Sequence, residues 1–259
     1  YWCRGLIDDE ARRSWDTFID FTTSLCWRNS YDDAFVDREG FPLLGYAALS
    51  DCVQTVQGVL NKIQDMKDQK IQKQYRQARC PKSGLVALGV SGLSTPLMGA
   101  MLASRPKIVS LLLKHGADPF ETDVAGNDPL MFASIFGRTD NVKFWLNRFP
   151  DWDLERKNKV MGGVALGSAV YMGPHRLELV KVLLNRGASL NHITDGGSSI
   201  LTALCSCEDA DPEILQLLLE KTKSKNVVNF KIRGKTFKWR NIHRLARLLT
   251  RTKLTKSGL

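Results

Sequence analysis

One six-residue segment of this chain recurs at an offset of 33 residues, and this recurrence constrains the possible folds more than any other feature. Residues 95–100 read Thr-Pro-Leu-Met-Gly-Ala, and residues 128–133 read Asp-Pro-Leu-Met-Phe-Ala. A fixed period of roughly 20–50 residues is typical of solenoids, in which each repeat buries its apolar side only against its neighbours. We therefore expect a fold that grows by stacking similar units.

Both copies carry the start and stop signals of a helix pair. Thr95 and Asp128 are residue types that cap helix N-termini, and the proline after each fits a first helical turn, where an N–H has no helical partner. Apolar residues at helical spacing then predict a second helix with one buried side; they are Ile108, Val109, Leu112 and Leu113. Gly116 follows at a position where a positive φ commonly ends a helix.

Three other segments repeat the pattern less regularly, at residues 40–60, 163–191 and 197–220. Together the five copies resemble the ankyrin-repeat family, with its Thr-Pro-Leu-His helix start, inter-helix glycine, Val-x-x-Leu-Leu helix and Gly-Ala-Asp exit. The resemblance covers about residues 38–235. It implies an all-α fold, an ankyrin-repeat α-solenoid of helix-turn-helix units joined by short hairpin-like turns. Because residues 256–259 repeat the Lys-Ser-Gly-Leu of residues 82–85, we expect a fragment of a larger ankyrin-repeat protein.

The pattern divides the chain into five parts. These are an N-terminal capping helix (1–37), a degenerate repeat (38–63), a charged helical insertion with a linker (64–92), four ankyrin-type repeats (93–235) and a basic amphipathic helix (236–259). The capping helix would cover the open end of the solenoid. Residues 61–79 are rich in Lys, Gln and Asp and contain no Pro or Gly, so they either extend the preceding helix or form a separate one.

The net charge of +10 is concentrated at the C-terminal end, because residues 221–259 contain 13 Lys or Arg and no Asp or Glu. A basic patch surrounds the apolar side of the predicted final helix; it consists of Lys238, Arg240, Arg244, Arg247 and Arg251. This helix either packs on the preceding repeat as the start of another degenerate one, or binds an anionic membrane or nucleic acid. We favour packing, since residues 228–229 resemble a repeat exit at nearly the right interval.

No pattern in the sequence indicates an active site. The four histidines occupy different repeat positions, and the six cysteines include one Cys-x-Cys, which supplies half the ligands of a zinc site. The glycines match no phosphate-binding loop. We therefore expect a non-enzyme without cofactor, metal or small-molecule substrate. Reduced thiols indicate a cytoplasmic location, and no apolar run approaches the roughly 20 residues needed to cross a bilayer.

The resemblance implies that a partner protein is held on the concave side, by turn tips and by the ends of the first helices. The tips correspond to residues 122–127, 156–161 and 192–195. The expected partner-binding residues are Leu102, Ala103, Asn127, Ile135, Phe136, Tyr171, Met172 and His192. Ile135, Phe136, Tyr171 and Met172, in adjacent repeats, would form an exposed apolar patch typical of an interface, unless they pack under the turn tips. The expected function is that of a protein-binding scaffold.

Overall fold

The computed structural model describes residues 43–49, 51–79, 94–103, 106–171, 176–206 and 211–221, and the chain forms two compact units, residues 1–132 and 133–259. The helices described in the first unit are α1 (Leu43–Leu49), α2 (Val53–Gln64), α3 (Gln69–Arg76), α4 (Pro96–Ala103) and α5 (Pro106–Lys114). Helix α6 (Pro129–Ile135) contains the boundary between the units. The second unit contains α7 (Thr139–Arg148), α8 (Ala165–Tyr171), α9 (Leu177–Asn185), α10 (Ile200–Ser206) and α11 (Pro212–Lys221).

The expected all-α fold is confirmed. The described residues form helices and turns, with a single isolated β-bridge between Ile193 and Ser199. None of the helices in these ranges is long and apolar enough to cross a bilayer. The predicted capping helix, within residues 1–37, and the predicted basic helix, with Lys238, Arg240, Arg244, Arg247 and Arg251, lie outside the described residues.

Within each unit, corresponding helices of successive repeats stack on one another. In the first unit α1 packs against α4, and α2 packs against α5. In the second unit α8 packs against α10, while α9 packs between α7 and α11. The expected stripe on α5 is buried at Ile108, Val109 and Leu112, whereas Leu113 is half-buried. Each repeat therefore contributes its apolar side to a core shared with its neighbours.

The predicted helix starts and stops are confirmed at atomic level. The side chain of Thr95 accepts a hydrogen bond from the Met98 N–H at 3.3 Å, and that of Asp128 accepts one from the Met131 N–H at 2.8 Å. Gly116 has a φ of 84°, and Gly187 has a φ of 98°. After both helices the glycine N–H and the next N–H bond back to carbonyls of the last turn, so these glycines terminate α5 and α9 in the Schellman geometry.

The charged insertion forms a separate helix, the second of the two alternatives. Helix α2 ends at Gln64, and Asp68 caps α3 by accepting hydrogen bonds from Lys70 N at 2.7 Å and Ile71 N at 3.3 Å. Helix α3 packs against α2. Arg79, which follows it, donates to the Thr122 carbonyl oxygen at 2.7 Å and pairs with Glu121. The insertion is thereby attached to a turn about 40 residues further along the chain.

Two more arginines make the same kind of long-range contact within the second unit. The buried Arg176 donates from Nη1 to the carbonyl oxygens of Ser134 at 2.7 Å and Ile135 at 2.8 Å, at the C-terminal end of α6. Arg186 donates to the Leu146 carbonyl oxygen at 2.6 Å, near the end of α7. Helix ends leave carbonyl groups without a helical partner, and a guanidinium supplies several donors at once. Each arginine therefore ties one repeat to the end of a helix in the preceding repeat.

We predict opposite stability effects for two glycine-to-alanine changes that both place a Cβ in open space. At Gly187 the Cβ meets nothing within 4 Å, but the φ of 98° penalises any side chain, so Gly187→Ala lowers stability by about 1–2 kcal/mol. At Gly58, inside α2, a Cβ also meets nothing within 4 Å, and alanine raises stability by about 0.5–1 kcal/mol. Urea unfolding measures both variants. Equal changes in the free energy of unfolding for the two variants would contradict the positive φ assigned to Gly187.

We also predict a pH dependence of stability that arises from His115. Partial burial of the ring, followed by the positive charges of Arg76 and Lys114, lowers its pKa below the ordinary 6.5. Around and below pH 6.5 the histidine of the unfolded chain binds a proton more readily than that of the folded chain, so this histidine reduces the free energy of unfolding as the pH falls. His115→Gln should therefore lose less thermal stability than the parent between about pH 7.5 and pH 5. If the melting temperatures of the variant and the parent fall equally across that pH range, the assigned role of His115 is contradicted.

Candidate functional site

Three hairpin-like turns connect successive helix pairs. We name them turn 1 (122–127), turn 2 (158–163) and turn 3 (193–199). They are closed by backbone hydrogen bonds, from Asp123 N to Asn127 O at 3.0 Å, from Asn158 N to Gly163 O at 2.9 Å and from Thr194 N to Ser198 O at 2.9 Å. Turn 1 belongs to the first unit, and turns 2 and 3 belong to the second. The hairpin-like turns expected from the resemblance are therefore present.

The backbone of turn 2 is held by one side chain and one glycine. The carboxamide oxygen of Asn158 accepts hydrogen bonds from the N–H groups of Met161 and Gly163, both at 3.1 Å. Gly162 has a φ of 65°, and a Cβ at this position would lie 2.5 Å from Oδ1 of Asp195 in turn 3. The positive φ strains any larger residue there, and the Asp195 carboxylate would have to move to make room for it.

Turns 2 and 3 are joined directly. The N–H of Asp195 donates to the Met161 carbonyl oxygen at 2.9 Å, and Nε2 of His192 lies 2.7 Å from the Gly162 carbonyl oxygen. On the other side of the ring, Nδ1 lies 3.7 Å from the carboxylate of Glu155, which also accepts a hydrogen bond from Ser189 N at 2.8 Å. These contacts fix the position of one turn relative to the other.

Turns 2 and 3 expose three large aliphatic side chains, which we call the tip patch. Val160 is 67% exposed, Met161 56% and Ile193 57%. Scattered apolar residues are common on protein surfaces, but a group of them on hydrogen-bonded neighbouring turns is more typical of an interaction site. The tip patch therefore combines apolar surface with a constrained backbone.

Positive charge borders the tip patch. Lys157 and Lys159 are exposed and make no ion pair within the described part of the chain. The guanidinium of Arg156 lies 5.1 Å from the ring centroid of the buried Trp152. Trp152 in turn packs edge-on against Trp145, with ring centroids 5.0 Å apart. The segment that leads into turn 2 is thus attached to the core, and its two lysines face solvent.

Three of the expected partner-binding residues have buried side chains, which differs from the exposed positions that a contact role predicts. Leu102 is a core residue of α4. The side chain and N–H of Asn127 both bond to the Asp123 carboxylate, at 3.0 and 2.7 Å, and these bonds hold turn 1 together. His192, expected at a turn tip as a contact residue, is buried because its ring joins turns 2 and 3.

The other expected contact residues differ in exposure. Tyr171, at the end of α8, is 53% exposed, whereas Ile135 and Phe136 are half-buried. The guanidinium of Arg176 donates hydrogen bonds to the carbonyl oxygens of Ser134 and Ile135 at the C-terminal end of α6. The side chain of Ala103 and the whole of Met172 lie outside the described residues. Among the described residues, the ends of the first helices therefore do not form a uniformly exposed apolar patch.

The structure places no group of three or more His, Cys, Asp or Glu where it could hold a metal ion, among the residues that it describes. His192 has one ring nitrogen against a backbone carbonyl and the other toward a carboxylate, so neither is directed to a substrate. The surface features of the second unit that could contact a partner are the tip patch and the two neighbouring lysines, Lys157 and Lys159.

Comparison with known proteins identifies relatives of the repeats. Residues 98–144 match the family model described as ankyrin repeats (many copies). The phosphocholine transferase AnkX of Legionella pneumophila is 30% identical to this chain over 118 residues, which are 44% of the chain and 12% of that protein. The ankyrin repeat and SAM domain-containing protein 6 of Mus musculus is 31% identical over 104 residues, or 39% of the chain and 11% of that protein.

A third relative extends the range of proteins that share these repeats. The alpha-latrocrustotoxin-Lt1a of Latrodectus tredecimguttatus is 30% identical over 98 residues, or 38% of the chain and 7% of that protein. The chain thus covers about a tenth of the length of these relatives. Their names describe a transferase, a protein with repeats and a SAM domain, and a toxin, so the shared segment does not specify one activity.

We predict that Asn158→Ala loosens turn 2. The change leaves the Met161 and Gly163 N–H groups without their acceptor, which costs about 1–2 kcal/mol locally. Hydrogen exchange of these two amides should accelerate, while amides within α9 keep their protection. Asn185→Ala, at an exposed helix end, is the matched control and should leave turn 2 unchanged. Unaltered exchange at Met161 in the Asn158 variant would show that the side chain does not hold the turn.

Proposed function

Because this chain is an ankyrin-repeat protein, we propose that it acts as a non-catalytic scaffold that binds a partner protein through turns 2 and 3. Ankyrin repeats generally mediate protein–protein interactions, and the site on this chain is our proposal. The observation that carries it is the exposure of Val160, Met161 and Ile193 on turns that hydrogen bonds hold in place.

A constrained backbone favours binding because little conformational freedom remains to be lost. Association costs several kcal/mol in translational and rotational freedom, and flexible loops add the cost of their own ordering. The contacts of Asn158 and His192 already restrict turn 2 in the free protein. A partner can therefore bury the tip patch without ordering it first.

The size of the tip patch indicates that the full interface extends beyond it. Burial of the exposed part of each side chain contributes about 1–2 kcal/mol. Three such contributions, about 3–6 kcal/mol in total, leave little or no surplus over the cost of association, which is about 4–15 kcal/mol, so further contacts are required. Tyr171 is a candidate, because it is exposed at the opposite end of α8, roughly 10 Å of helix from turn 2. A partner that reaches both ends would lie along α8.

A non-catalytic role is part of this proposal. It is supported by the engagement of His192 in turn contacts and by the small share, 12%, of the phosphocholine transferase that the match covers. A cytoplasmic location is also proposed, and the free thiol of Cys52 supports it. The alternative function, binding of an anionic membrane or nucleic acid by the C-terminal basic patch, concerns residues outside the described part.

We predict that the double change Val160→Ser and Met161→Ser removes partner binding while the melting temperature stays close to that of the parent. Both side chains are more than half exposed, so the fold loses little buried surface. The measurement is an affinity capture from cell extract with quantitative mass spectrometry. Ile71→Ser, which alters an apolar residue exposed to 41% on α3, is the matched control and should retain the captured proteins. Equal capture by the parent and the double variant would refute the proposed surface.

A further inference from the structure

The charge around the tip patch restricts the chemistry of its partner. We propose that turns 2 and 3 bind an acidic peptide segment in which a large apolar side chain is flanked by carboxylates. This inference rests on the proposed function and adds the partner class. The apolar side chain would pack on Val160, Met161 and Ile193, and the carboxylates would pair with Lys157 and Lys159.

The two lysines are available for a partner. Both are exposed, both precede Val160 by at most three residues, and neither forms an ion pair inside the described ranges. Lys143, by contrast, lies 3.0 Å from the Glu178 carboxylate. An unpaired ammonium next to apolar surface raises the local concentration of anionic partners.

The acidic groups near the patch do not cancel this charge. Glu155 accepts a hydrogen bond from Ser189 N and faces the ring of His192, so it is directed toward the junction of the turns. Asp195 is the one acidic residue within turns 2 and 3, and its carboxylate lies against Gly162. Residues 156–163 contain Arg156, Lys157 and Lys159 and no Asp or Glu, so positive charge dominates this segment.

The apolar part of the surface favours a peptide over a nucleic acid. Proteins that bind single-stranded nucleic acid combine basic residues with aromatic side chains on which bases stack. The tip patch is aliphatic, and the aromatic Trp152 of this region is buried. Aliphatic side chains bordered by lysine are complementary to a peptide that has an apolar anchor with acidic neighbours.

The test is a selection from a random-peptide phage library on the full 259-residue chain, followed by binding measurements with the enriched peptides. We expect enrichment of peptides that carry one or two large apolar residues and an excess of Asp and Glu. Reversing both charges with Lys157→Glu and Lys159→Glu should weaken binding about tenfold, chiefly by slower association, and should flatten its salt dependence. Lys107→Glu with Lys181→Glu, which alters net charge equally at exposed helix positions, should leave binding unchanged.

Three results would overturn the inference, and they differ in what they mean for the proposed function. In the first, the selected peptides are neutral or basic, and their binding is lost with Val160→Ser and Met161→Ser but retained after the charge reversal. This result would support the proposed surface and refute the acidic partner. Peptides unaffected by the serine changes, or no enrichment, would refute both. Binding of single-stranded DNA that depends on Lys157 and Lys159, with no peptide selected, would assign the lysines to nucleic acid instead.

Discussion

Each helix pair of this protein can bury its apolar side only against the neighbouring pair, and the rest of the structure depends on that constraint. A helix of seven residues, such as α8 or α10, is too short to be stable in water by itself. Its apolar residues become buried when α8 packs on α9 and α10. Stability therefore arises between repeats, and each repeat must end and turn at fixed positions so that the next one stacks in register.

The elements set by local chemistry could be predicted from the sequence. A capping side chain, a first-turn proline and a terminal glycine act on backbone groups only a few residues away, so Thr95, Asp128 and Gly116 indicated helix ends without knowledge of the fold. The buried stripe of α5 follows from helical periodicity in the same way. The two alternatives for the charged insertion were decided by Asp68, whose carboxylate starts a new helix after α2 has ended.

The candidate site was predicted less well, because its residues act across repeats. The tips of turns 2 and 3 were expected near their observed positions, but the expected contact residues were assigned by their place in a family pattern. His192 contacts the Gly162 carbonyl group 30 residues earlier, and the carbonyl group of Ile135 accepts a hydrogen bond from Arg176, 41 residues later. The aliphatic residues Val160 and Ile193, at positions where a turn would usually carry polar residues, were the available signal for the exposed patch.

In and next to turn 2, the residues that hold the backbone differ from those available for recognition. Asn158 and Gly162 hold the backbone through contacts directed into the turn, whereas Lys157, Lys159 and Val160 project to solvent. Residues of the second kind can be exchanged without a cost in core packing, since they bury little surface in the free protein. Repeats of this kind can therefore change their partners by substituting a few solvent-facing positions, while a separate set of residues continues to hold the turn.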